Sequence, residues 1–247
     1  MIRHTITALL LIAGTAQSQT AEEIIRKAEE QLRGTTSSGT YQMTVVTPEF
    51  TRTMEMKTWW DEAADRSLIL ITAPKKEAGN KWLKIGNEMW NYLKATETTV
   101  KIPPSMMLQS WNGSDFTNDD LARESSLEKD YSHTLLGEEE IRGETCWKIS
   151  SIPRPDAAVV WGKIYTWVRK DNYLSSFAQY YDERGRQVRS MVFTDIRTLG
   201  GRSIPTLWTI HNKTKEGNKT EFLIKEAAFN ISIPERMFSF RELERGN

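Results

Sequence analysis

The sequence predicts a mainly β fold: a highly curved antiparallel sheet of about a dozen strands, closed or partly closed, with helices capping its opening. From Tyr41 onward apolar and polar residues alternate with period two in segment after segment, the signature of half-buried strands. The breaks between those segments are hairpin-length, and none holds the crossover helix that parallel neighbours need. One apolar stretch, Ser105 to Leu121, lies outside any strand and separates two strand-rich halves. A two-sheet sandwich is the alternative architecture.

Residues 1–18 read as a secretory signal: Arg3 and His4, an apolar run from Ala8 to Ala13, and Ala16-Gln17-Ser18 as a cleavage site before Gln19. That run is far shorter than the roughly 20 residues a membrane span needs. One exported domain, 19–247, is expected, in the periplasm or outside the cell, and as a monomer. Thr20 to Arg33 is an amphipathic helix, with Ala21, Ile24, Ile25, Ala28 and Leu32 at helical spacing and Glu22 and Glu23 in its first turn. Gly34 ends it, and the TTSSG that follows reads as a loop.

A meander comes next: YQMTVVT, TRTMEMKTWW and RSLILITA, then the short strands NKWLKI, EMWNYLK and TTVKI. In TRTMEMKTWW, Met54, Met56, Thr58 and Trp60 share one face, and Thr53, Glu55, Lys57 and Trp59 the other. Pro103 and Pro104 stop the last of these strands. Met106, Met107, Leu108 and Trp111 follow within a turn-length segment that Gly113 breaks, and Asn118, Asp119 and Asp120 start a small helix through Arg123. A loop this long and apolar must be buried or cover something, so it is expected to be the lid or rim of an apolar cavity.

Strands resume with SHTLLGEEEI and ETCWKISSI, an irregular PRPDAAVVWG, then KIYTWVRK, NYLSSFAQYYD, RQVRSMVFTDIRTL, RSIPTLWTIHN and KTEFLIKEAAFNISI. Pro234 to Phe238 forms one helical turn before a short tail. No fixed-length repeat points to a propeller or solenoid.

Lys plus Arg and Asp plus Glu balance at 33 each, which argues against nucleic acid and against a polybasic membrane footprint. Cys146 is the only cysteine, so packing holds the chain together without an internal disulfide. Only His133 and His211 follow the signal, with no zinc-ligand spacing, and no nucleophile elbow or phosphate loop occurs; no metal, cofactor or catalytic residue is expected. Asp115, Asp119 and Asp120 lack the alternating ligands of a calcium loop and read more simply as helix-capping and loop groups than as an acid/base cluster. The anomaly is nine Trp and nine Met. Met suits a surface that accommodates varied apolar shapes.

The run IKIPPSMM through WNGSDFTNDDL, with KWLKIGNEMWNYL ahead of it, EKDYSHTLLGEEE after it and PRPDAAVVWGKIYTWV beyond, resembles the LolA-like outer-membrane lipoprotein-sorting protein family, in its longer branch. The resemblance runs from the AEEIIRKAEE helix to IPERMFS. It implies an incomplete antiparallel β-barrel around an apolar cavity, lidded by helices, in a periplasmic carrier of acylated lipoprotein or lipid. No arginine is carried over from the family as a lid lock. The ligand-binding residues expected are Met54, Met56, Trp60, Trp90, Met106, Met107, Leu108, Trp111, Phe116 and Trp161. Expected partners are an inner-membrane transporter and an outer-membrane acceptor. The rival readings are a docking module of a transporter, with the Met/Trp loop as its contact surface, and a lipid- or glycan-acting enzyme using Asp115, Asp119 or Asp120.

Overall fold

The computed structural model describes residues 19–122, 127–155, 157 and 159–245; the predicted signal lies outside them. Helix α1 (Ala21–Leu32) is followed by strands β1 (Thr36–Val46), β2 (Thr51–Asp61), β3 (Arg66–Ala73), β4 (Lys81–Ile85), β5 (Glu88–Leu93) and β6 (Thr98–Ile102). Short helices α2 (Asn118–Ala122) and α3 (Leu127–Asp130) lie in the mid-chain insert. The return half holds β7 (Tyr131–Ile141), β8 (Glu144–Pro153), β9 (Lys163–Arg169), β10 (Ser175–Tyr181), β11 (Gln187–Leu199), β12 (Arg202–Asn212) and β13 (Lys219–Phe229), before α4 (Phe240–Glu244).

All thirteen strands belong to one antiparallel sheet, ordered β6-β5-β4-β3-β2-β1-β13-β12-β11-β10-β9-β8-β7. The chain walks out from the centre to the β6 edge, crosses to the opposite edge at β7, and walks back until β13 pairs with β1. No pairing joins β6 to β7 among the described residues, so the barrel is incomplete and the sandwich is ruled out. The described part of the insert between β6 and β7 packs on the concave side through Met107, Trp111, Phe116 and Leu121.

Period-two alternation sends Met43, Met54, Met56, Ile69, Ile71, Met89, Met191, Phe193, Ile210, Phe222 and Ile224 into one concave core, which the insert completes with Met107, Trp111, Phe116 and Leu121. The convex face of β3 to β5 is apolar as well. Leu68, Leu83 and Tyr92 are covered there by Phe238 and by Leu243 of α4. Buried Lys81 caps α4, its Nζ donating to Glu242 O and Arg245 O at 2.7 Å each. Ser239 is the N-cap, accepting from Glu242 N at 3.2 Å, so the expected tail is a docked helix.

Two further expectations change at the start of the chain. TTSSG is not a loop: β1 begins at Thr36, where Ser37 pairs with Phe229 and Trp60, because a neighbour on each side outweighs weak strand propensity. Helix α1 ends on an extended Arg33 rather than on a left-handed Gly34. Gly34 is needed for space instead, since a Cβ there would sit 2.8 Å from Asn230 Oδ1.

Candidate functional site: a roofed cavity and a latched lid

Beneath α1 the concave face encloses a cavity of 280 Å³. Ile25, Ala28 and Leu32 form its roof, and Met191, Phe193, Ile204, Trp208, Phe222 and Ile224 line its wall. The helix is anchored there through Ile24, Ile25 and Ala28, which pack on Ile149 and Val168. Its Glu29 carboxylate accepts the first amides of α3, Leu127 N at 2.9 Å and Glu128 N at 3.3 Å. The wall is a chain of rings: Phe193 to Trp208 at 5.6 Å, Trp208 to Phe222 at 5.6 Å, and Phe222 to Tyr41 at 5.0 Å. Phe116 of the insert meets Phe222 edge-on at 5.5 Å and so joins the lid to this chain.

The insert is a compact knot. Trp111 is fully buried, its ring 5.0 Å from Trp82, and its amide donates to Phe116 O at 2.7 Å. Asn118 N donates to Gln109 O at 2.9 Å and Asp119 N to Met107 O at 3.0 Å. The cap of α2 is Thr117 rather than Asn118: Asp120 N donates to Thr117 Oγ1 at 3.1 Å, and Thr117 N to Asp120 Oδ2 at 2.7 Å. Asp115 ties the knot to the sheet, accepting from Asn212 Nδ2 and from Thr220 Oγ1 at 2.8 Å each. Asp115 and Asp120 are thus structural acceptors, and Asp119 is almost fully buried.

At the centre stands Arg189 of β11, which lines the cavity with only 3% of its surface exposed. Its Nη1 donates to Asp120 Oδ2 at 2.6 Å and its Nη2 to Asp120 Oδ1 at 2.8 Å, a two-pronged pair, while Nη1 also reaches Asp115 O at 3.1 Å. The guanidinium lies 4.4 Å from the Trp161 ring centre and 4.3 Å from that of Tyr180. Burial by itself raises the Asp120 carboxyl, but the Arg189 charge and the hydrogen bonds from Arg189 and Thr117 outweigh it and hold that carboxyl below its ordinary value. Reasoning from sequence missed Arg189. The sequence signalled a helix start but put its cap at Asn118 instead of Thr117, and nothing local marked the partner of Asp120 across the barrel.

A second, outer cavity of 620 Å³ lies on the other side of the lid, between the insert, Val159 and Val160, and the turns around Arg184 and Lys215. Phe116, Trp161 and Arg189 line both cavities, so the partition between them is built from those side chains.

Of the expected ligand residues, Trp60, Phe116 and Trp161 line the inner cavity, and Met107 and Leu108 join Phe116 and Trp161 at the outer one. Met54, Met56 and Trp111 are fully buried in the packing between sheet and lid and line neither. Met106 is half-buried, and its carbonyl accepts from Asn118 Nδ2 at 2.9 Å. Trp90 points the other way, because the alternation of β5 turns Met89 inward; its ring lies 4.9 Å from Phe240 on the convex side. His133 is held between Ser151 Oγ and Leu127 O at 2.9 Å each, and burial pushes the Cys146 thiol up. No group of three or more His, Cys, Asp or Glu placed to hold a metal occurs among the described residues.

An open antiparallel barrel with a helical roof, an internal apolar cavity and a lid pinned from inside defines a class: the lidded half-barrels. A family model whose description reads "-like: Uncharacterized protein" matches residues 63–245, and the chain belongs to that family. No curated protein matches its sequence. Among solved structures it is similar to a DUF1329 family protein from Desulfovibrio piger, at 22% identity and a TM-score of 0.82, over 90% of this chain and 97% of that one. A domain from Vibrio parahaemolyticus assigned as an outer membrane lipoprotein-sorting protein is 20% identical with a TM-score of 0.80, over 91% and 98%. A LolA superfamily protein from Nitrosomonas europaea is 20% identical with a TM-score of 0.78, over 92% and 100%. The fold is therefore LolA-like. Among the described residues no helix is long and apolar enough to cross a membrane.

Proposed function

We propose that the protein is a periplasmic, monomeric carrier without covalent catalysis, which holds acyl chains of lipoproteins or lipids in the inner cavity and passes them from an inner-membrane exporter toward the outer membrane. The observation that carries this reading is the roofed apolar cavity closed by a lid whose buried Asp120–Arg189 ion pair sits at the cavity wall. Burial of each methylene contributes about 0.8 kcal/mol, so part of one chain provides ample affinity. Trp60, Phe116, Trp161 and Trp208 would meet the chain. A chain that wedges beside Phe116 strains the Asp120–Arg189 pair, and release of that pair frees the lid; closure without cargo re-forms it and drives hand-over. The LolA-like fold agrees with this role.

A docking module that presents the Met/Trp loop to a partner finds less support, since Trp111 and Met107 are buried, Met106 is half-buried, and of the four apolar side chains of that loop Leu108 alone is mostly exposed, at 62%. Native mass spectrometry of protein purified from its own periplasm, with lipid analysis of what co-purifies, tests the carrier. A bound acylated molecule, and displacement of an apolar polyene dye by hexadecane, are the expected results. A clean apo mass with no dye uptake would count against the cavity and favour the docking module.

A further inference from the structure

The buried guanidinium of Arg189 has donors left over. Nη1 and Nη2 serve Asp120 and the Asp115 carbonyl, but Nε has no hydrogen-bond partner among the described residues, in a side chain that is 97% buried by its 3% exposure. An orphaned donor on a buried charged group costs free energy and points to an acceptor that comes from elsewhere. Thr166 Oγ1 is also without a partner, but it lines the inner cavity alone; Arg189 lines the inner and outer cavities together. The spare N–H therefore belongs to the residue at the junction of an inner apolar chamber and an outer one whose wall, also largely apolar, carries more charged side chains.

An amphiphile laid across such a junction puts its chain on one side, its polar part on the other, and its linking group at the donor. The charge at the junction selects among linking groups. Arg189 is already neutralised by Asp120, so a carboxylate or phosphate there would be a second buried anion without a counter-charge. A neutral carbonyl oxygen accepts the hydrogen bond without that cost. The outer cavity agrees: with Arg189 paired to Asp120 and Asp182 paired to Arg186, Asp115, Asp119 and Glu183 outnumber Arg184 and Lys215 on its wall and disfavour an anionic head.

We propose that Arg189 Nε binds the carbonyl oxygen of an acyl ester, with the acyl chain in the inner cavity and an uncharged or cationic polar part in the outer cavity. This rests on the carrier reading and adds what that reading leaves open: the linking group recognised, the orientation of the ligand and the use of the second chamber.

The test compares a monoacylglycerol with the glyceryl ether of the same chain, which differs from it by the carbonyl alone, in displacement of the polyene dye from the wild-type protein. The ester is expected to bind about tenfold tighter than the ether, the discrimination one hydrogen bond to a charged donor provides. In Arg189→Lys, which keeps a cation for Asp120 but has no Nε fork, the ester-to-ether ratio falls toward one. A photoreactive group on the glycerol should label the Val159–Val160 segment, and one at the chain end should label the inner wall. Equal affinities for ester and ether in the wild type would overturn the junction while hexadecane displacement leaves the carrier standing. Failure of every apolar competitor, hexadecane included, would overturn the carrier reading itself.

Discussion

Asp120 Oδ2 accepts from Thr117 N at 2.7 Å and from Arg189 Nη1 at 2.6 Å, so one carboxylate oxygen caps the lid helix and latches it to the barrel wall. The start of the lid helix and its tie to the barrel wall thereby share one acceptor. Loss of the carboxylate leaves Thr117 N without its acceptor and strands the Arg189 charge inside the barrel. Breaking a buried pair from one side typically costs about 3–5 kcal/mol, whereas replacing both partners by apolar groups is often neutral. Asp120→Ala is therefore expected to lower the urea midpoint strongly, and Asp120→Leu with Arg189→Met to recover most of the loss. A double variant no more stable than Asp120→Ala would show that the stranded charge is not the cost.

Much of this arrangement was legible in the sequence. The TRTMEMKTWW alternation placed Met54, Met56, Thr58 and Trp60 on one face, and all four turn toward the concave side. The helical stripe of α1 and the two prolines that end β6 were equally local signals. Trp90 was misplaced because both faces of β4 and β5 are covered, one by the lid and one by α4, so alternation there loses its polar half. Arg189 was invisible for a different reason: in RQVRSMVF it looks like a solvated strand end, and its partner lies 69 positions away. Long-range pairing of a charge into an apolar wall leaves no periodic trace.

The latch also sets an acid limit. Held below its unfolded value of about 3.9, the Asp120 carboxyl contributes full stability above that pH, and the contribution fades as pH falls through the lowered folded value. Amide exchange at Trp111, Asn118 and Asp119 is expected to accelerate below about pH 4 before exchange in β1 does. Lid and β1 amides that accelerate together would mean that the lid has no separate acid transition.

His133 governs a second, milder window. Burial lowers its pKa from 6.5, against the opposing hydrogen bond with the Leu127 carbonyl, so the folded state prefers the neutral ring. The unfolded chain then binds more protons below about pH 6.5, and stability drops as pH falls through that value toward the lowered folded one. The thermal midpoint is expected to fall between about pH 6.5 and 5, and less steeply in His133→Gln. Parallel slopes in the two proteins would assign the loss to other groups.

Occupancy of the inner cavity is separable from stability at Ala178. This residue of β10 is 2% exposed, lines the inner cavity and stands on the wall with Met191, its cross-strand neighbour on β11. Ala178→Phe adds a ring where there is 280 Å³ of space, so the cost stays near the low end of the roughly 1–3 kcal/mol that overpacking a filled core brings. The same ring occupies the volume an acyl chain needs. Uptake of the polyene dye is expected to fall at least tenfold while the urea midpoint moves little. Leu136→Ser, on a 51% exposed position of edge strand β7, serves as the surface control and should change stability by no more than about 0.5 kcal/mol. Undiminished dye uptake in a folded Ala178→Phe protein would place the ligand outside the inner cavity and leave the outer chamber as the site to which the chain binds.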